Sequence, residues 1–208
     1  MKIAVRLCFV LTTAATLFFG VNGFAHAGQK HLFYFNGVKL EKIGERGYNK
    51  IIQALKDDGF DVIYQPRYDD SMSVIDKIVK RTVNQVNDLI AAGTPPEDIT
   101  VSGYSFGSVI SMFTAIALNN PKINYVFIAG CPGGRARHFD IDYASIHGRV
   151  LSITDKDDNK FQSCGDKISG ASPYKEITIQ SGKGHMGFRL PKYMNGWKKP
   201  LESWANGQ

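Results

Sequence analysis

The chain has 208 residues, with 25 basic against 19 acidic side chains and a formal charge of +6 at pH 7. That length suits one domain with a full core. Its basic residues are scattered, Lys198-Lys199 and the Arg135/Arg137 pair being the nearest to patches. The excess therefore reads as a solvated surface, and nucleic-acid binding is not indicated.

The N-terminus has the three regions of a secretory signal peptide. Lys2 and Arg6 give a positive start, residues 7–19 carry no charge, and Ala25-His26-Ala27 supplies a small-x-small cleavage pattern. The uncharged stretch is shorter than the roughly 20 residues needed to span a bilayer, so no stable anchor is expected after cleavage. Residues 28–208 then form the mature domain, and Cys8 leaves with the signal. The expected location is the periplasm or the exterior. Cys131 and Cys164 remain, and an even pair in an exported chain suggests a disulfide. The alternative is two unrelated buried thiols.

Past residue 27, strand-like and helix-like segments alternate. Residues 31–35 are an apolar-aromatic run ending in Asn36-Gly37, which reads as a strand entering a loop. Residues 48–55 have helical spacing and stop at Asp57-Asp58-Gly59; residues 60–64 are the next strand, ended by Pro66. Val74, Ile78, Val83, Val86 and Leu89-Ile90 mark an amphipathic helix closing near Gly93, with Pro95-Pro96 beyond it. Residues 99–104 form the third strand. Three further strands are expected at 123–129, 150–153 and 177–179, and a final helix between 193 and 204. Strands separated by helix-length segments imply crossovers. The fold class is α/β, with a mostly parallel sheet of about six strands and helices on both faces. Residues 131–148 stay unassigned, as a long loop.

The third strand runs into Gly103-Tyr104-Ser105-Phe106-Gly107, and a small-and-apolar helix follows over 108–118. A serine between two glycines at a sharp strand-to-helix turn is a nucleophile elbow, which holds its hydroxyl exposed in a strained conformation. Gly is frequent, at 21 residues, so the five letters alone are a weak signal. A serine hydroxyl needs a general base, usually a histidine oriented by a carboxylate, and here both should follow in the order serine, acid, histidine. Gly184-His185-Met186-Gly187 comes after the last expected strand and supplies the base; read alone, His185 is a surface histidine in a glycine loop. His31, His138 and His147 fall too early in the order. The acid comes from Asp155-Lys156-Asp157-Asp158. Spacing favours Asp158, then Asp157, then Asp155, and at least two of the three are ordinary turn formers. A Cys131–Cys164 bridge would pin this loop to the neighbouring strand end. Oxyanion donors are expected at the backbone N–H of Phe106 and of Val38, after Asn36-Gly37; the alternative there is an ordinary turn.

Taken together, Asn36-Gly37, the elbow at 103–107, Asp158 and Gly184-His185 resemble the α/β-hydrolases, in particular the small exported bacterial serine hydrolases without a cap domain. The family often has His-Gly where this chain has Asn36-Gly37, and its acid typically falls a few residues past the strand end, as Asp158 does. The resemblance implies a minimal α/β-hydrolase fold and hydrolysis of an ester, thioester or amide through an acyl-serine intermediate. It points to an enzyme of the carboxylesterase/lipase type with a small-molecule acyl substrate. A short, open site favours small or surface-presented acyl groups. Arg135 and Arg137 could meet an acidic substrate group, against the plainer reading of solvated loop charges. No metal cluster or phosphate loop stands in the sequence, so no cofactor is expected. Two other readings stay open: an acyltransferase with the same triad, and a non-catalytic binding protein on the same fold.

Overall fold

The computed structural model describes residues 28–37, 45–134 and 139–208. The expected signal segment 1–27, the proposed donor Val38, and Arg135, Arg137 and His138 lie outside the described residues. The elements in chain order are β1 (His31–Phe35), α1 (Glu45–Asp57), β2 (Asp61–Gln65), α2 (Met72–Ala91), β3 (Ile99–Tyr104), α3 (Phe106–Leu118) and β4 (Asn124–Ile128). There follow β5 (Cys131–Pro132), β6 (Gly148–Asp155), β7 (Phe161–Gln162), β8 (Ala171–Ile179) and α4 (Asn195–Ala205).

Six strands form one sheet in the order β2-β1-β3-β4-β6-β8, and every neighbouring pair is parallel. Every position of β3 and β4 is buried, as expected where helices cover both faces of a parallel sheet. Consecutive residues of β1 show the two layers. Phe35 backs onto Gly107 of α3, while Tyr34 stacks on Trp197 of α4 at 6.3 Å between ring centroids. Adjacent strand residues point to opposite faces, so α3 and α4 cover opposite sides of the sheet.

The expected elements are all present, with informative differences at their edges. On α2 the buried stripe is Ile75, Ile78, Thr82 and Val86. Thr82 can sit there because its hydroxyl donates to the Ile78 carbonyl at 2.9 Å. The last strand begins at Ala171, six residues before the expected start. β8 is an edge strand whose burial alternates, so its polar half carries no continuous apolar signal. The loop expected from 131 onward opens instead with β5, which pairs antiparallel with β7 in a two-stranded ribbon. Among the described residues no helix is long and apolar enough to cross a membrane.

Chain order reverses direction across the sheet between β1 and β3. From β1 the chain goes to β2 on one side; from β3 it goes to β4 on the other. Their outgoing loops therefore part and leave a crevice at the carboxyl ends of the strands. Asn36-Gly37 and Ser105 lie there.

Candidate active site

Ser105 ends β3 and precedes α3 with φ 57° and ψ −116°, a backbone conformation costly for any residue with a Cβ. The surroundings hold it there. Its N–H donates to the Ile128 carbonyl at 2.9 Å, and its carbonyl accepts from Ser108 N–H at 2.9 Å. The two glycines of the elbow answer close approach. A Cβ on Gly103 would fall 2.3 Å from the Gly107 carbonyl, and one on Gly107 would fall 2.2 Å from the Phe35 carbonyl oxygen. Helix and strand could not pass this closely with side chains in either place.

The loop after β8 brings His185 over the elbow, with Ser105 Oγ 2.7 Å from its Nε2. On the other side of the ring, Nδ1 lies 2.7 Å from Asp158 Oδ2. The Asp158 side chain is fully buried. Burial pushes its pKa up, but the hydrogen bond from His185 and the N–H groups of Lys160 and Phe161 outweigh this, and the net effect holds it below the ordinary 3.8. Lys160 and Phe161 both donate to Oδ1, at 2.8 and 3.1 Å. Oδ2 is thereby left facing the imidazole.

Of the three neighbouring aspartates only Asp158 meets the histidine in this way. Asp155 accepts from the N–H groups of Asp157 and Ser181, and so ties the end of β6 to the end of β8. Asp157 is exposed.

The imidazole packs against two rings that spacing along the chain does not reveal. Phe161 of β7 stacks on it at 5.2 Å and 24°, and Tyr104 lies on it at 5.2 Å and 36°. The Tyr104 hydroxyl also donates to the His185 carbonyl at 2.6 Å, so one side chain contacts both the ring and its backbone. In the sequence Tyr104 is only the variable letter before the serine, and Phe161 is an apolar residue in a polar turn.

Cys131 and Cys164 form a disulfide, with Cα atoms 5.1 Å apart. It joins the start of β5 to the residue two past the end of β7, and Cys164 N–H donates to Glu176 on β8 at 2.9 Å. The ribbon it closes carries Phe161, and Phe161 N–H in turn binds Asp158. Bridging cysteines 33 positions apart should stabilise the fold by roughly 3–4 kcal/mol on the chain-entropy model. The Cys131→Ser/Cys164→Ser variant should lose about that much in urea unfolding. A stability change under about 1 kcal/mol would contradict this clamp.

Gly37, two residues past the end of β1, lies beside Ser105. A Cβ on Gly37 would fall 2.5 Å from the Tyr104 carbonyl oxygen and 2.8 Å from Ser105 Cβ, so only glycine lets the loop lie against the elbow. Phe106 is the first residue of α3, and its N–H has no acceptor within the helix. The positive end of the helix dipole is at the same point.

Arg67, just past β2, is 1% exposed. Its guanidinium donates to the Gly37 carbonyl at 2.9 Å and to the Asp69 carbonyl at 3.2 Å, pairs with Asp70, and lies 4.0 Å over the Phe106 ring. Burial draws its pKa down to about 10, against the opposing pull of Tyr48, Asp69 and Tyr64, and it stays charged at neutral pH. Nothing in the sequence marks it out: one arginine after a strand and a proline reads as a surface charge.

No family model and no curated protein sequence matches the chain. Solved structures do. SOBER1 from Arabidopsis thaliana superposes with a TM-score of 0.56 at 14% identity, over 86% of this chain and 98% of that one. The sugar hydrolase YeeB from Lactococcus lactis gives 0.59 at 13% identity, over 86% and 89%. RedJ, the thioesterase of the prodiginine biosynthetic pathway in Streptomyces coelicolor, gives 0.52 at 7% identity, over 83% and 84%. At such identities the likeness is one of fold.

Proposed function

We propose, from the premise of a small α/β-hydrolase-like fold, that the protein is a serine hydrolase acting on an ester or thioester. The observation that carries this reading is the hydrogen-bonded line from Ser105 Oγ through His185 to the buried Asp158 carboxylate. Ser105 Oγ attacks the acyl carbonyl carbon while His185 Nε2 takes its proton. Asp158 holds the imidazole tautomer and stabilises the imidazolium. The carbonyl oxygen becomes an oxyanion facing the Phe106 N–H and, from the loop after Gly37, the Val38 N–H. When the tetrahedral intermediate collapses, the bond to the alcohol or thiol breaks, and His185 gives the leaving group the proton. A water molecule then attacks the acyl-serine by the same route in reverse, releasing the acid and restoring Ser105.

The working form is residues 28–208 as one domain, after removal of a secretory leader. The disulfide is in keeping with an oxidising compartment such as the periplasm or the exterior. A fluorophosphonate probe on the folded mature protein should add one phosphonyl group, mapped to Ser105 by mass spectrometry. A panel of esters should then be cleaved, the short acyl chains fastest. Folded protein that takes no label would overturn the reading.

A further inference from the structure

A buried phenol keeps its hydroxyl hydrogen-bonded, because an unpartnered one costs the full desolvation of the group. Tyr104 is 1% exposed, and its hydroxyl is spent on the backbone carbonyl of His185 at 2.6 Å. Burial pushes its pKa above the ordinary 10, against the pull of Arg189, so at neutral pH the phenol is an uncharged donor. The ring is placed as closely as the hydroxyl. Its centroid lies 5.2 Å from that of the His185 imidazole and 5.9 Å from that of the Phe188 ring. Phe188 is held in turn, its carbonyl accepting from Trp197 Nε1 of α4 at 2.9 Å. Tyr34, which stacks on Trp197, pairs with Ser102, and residues two apart on a strand share a face. Tyr104 therefore stands on the α4 side of the sheet, with Phe188 and Trp197 behind it.

Building on the proposed hydrolase reading, we infer that Tyr104 is a positioning residue that sets the reach of the His185 imidazole toward Ser105. The base stands 80 positions after the nucleophile, on the short 3-10 helix Gly184–Arg189. Tyr104 is joined to Ser105 by one peptide bond, and its side chain is a rigid ring on two torsions. Its hydrogen bond to the His185 backbone therefore ties the base to the nucleophile over a nearly fixed length. The acid side is held by a different contact. A Cβ on Gly184 would fall 2.4 Å from the Asp157 carbonyl oxygen, so the backbone before His185 lies directly on the acid loop. That contact places the histidine against Asp158, and Tyr104 places it against Ser105. A general base works only within about 2.6–3.2 Å of the atom it deprotonates, and a 1 Å misplacement can cost about 10²-fold. The Tyr104 hydroxyl is committed to the His185 carbonyl, so the residue acts through the histidine and not on the acyl group. Its loss weakens transition-state binding and leaves ground-state binding nearly untouched.

The test is Tyr104→Phe, which removes the hydroxyl and keeps the ring, assayed on a short-chain p-nitrophenyl ester in the wild-type and His185→Ala backgrounds. With His185 present, the variant should lose about 5- to 30-fold in kcat, with KM within about threefold. In His185→Ala the same substitution should change the residual rate less than about twofold, because no imidazole is left to position. Wild-type kcat in folded Tyr104→Phe, a loss confined to KM, or an equal loss in both backgrounds would overturn the inference. Should Tyr104→Phe not fold, Phe188→Leu withdraws the ring that Tyr104 leans on and leaves its hydroxyl in place. It should lower kcat about 3- to 10-fold in the same pattern, and wild-type kcat there would overturn the inference. Fluorophosphonate labelling of the wild-type protein at Ser105 separates the two failures. Without a label the hydrolase reading falls too; with a label and an indifferent Tyr104, only the positioning role falls.

Discussion

Ser105→Ala is expected to lower kcat/KM for ester cleavage by about 10⁴- to 10⁶-fold and to abolish fluorophosphonate labelling. What survives would come from the proposed oxyanion donors and from binding. The fold should survive as well. Alanine keeps the Cβ, so the strain at φ 57° is unchanged, and the substitution removes the hydrogen bond between Oγ and His185 Nε2. That single hydrogen bond is worth about 1 kcal/mol, so the melting temperature should stay within a few degrees. Activity within tenfold of wild type would end the case for Ser105 as nucleophile.

Asp158→Asn should cost about 10³- to 10⁴-fold in kcat at neutral pH, a large penalty for replacing one oxygen by nitrogen. The reason is in the loop. Lys160 and Phe161 both donate to Oδ1, so an asparagine must put its oxygen there and turn its NH₂ toward His185. Nδ1 then has to accept, and Nε2 has to carry the proton. In that tautomer it cannot take the proton from Ser105. The same variant has a signature in stability. The folded Asp158 pKa lies below 3.8, so its ionised form stabilises the fold above about pH 4, and that contribution fades as pH falls through the depressed value. The difference in melting temperature between wild type and Asp158→Asn should therefore narrow on acidification below pH 4. A variant with near-wild-type kcat would remove Asp158 from the proposed triad.

Much of this was legible residue by residue. The strands at 31–35 and 99–104 end where their apolar runs meet Asn36-Gly37 and the serine turn. A parallel sheet sends every strand's outgoing loop to one edge, so chain order alone was enough to seek the acid after β6 and the histidine after β8. Less could be read where the signal is not periodic. β5 and β7 have two residues each, too short for any alternation, and they exist because they pair with each other and are bridged nearby. The polar half of β8 looks like loop until its place at the sheet edge is known.

Apart from β5, β7 and the polar half of β8, local chemistry therefore determined the elements, their order, the serine turn and the glycines that permit it, since each of these depends on neighbours a few residues away. Tertiary structure decided among chemical equals. Asp155, Asp157 and Asp158 are the same side chain within four positions, and only the path of the backbone sends one of them to His185. Arg67 reads as any surface arginine until β1, β2 and α3 converge around it. Such contacts join residues far apart in the chain. They are set by where the sheet puts its strand ends, which no short window of sequence contains.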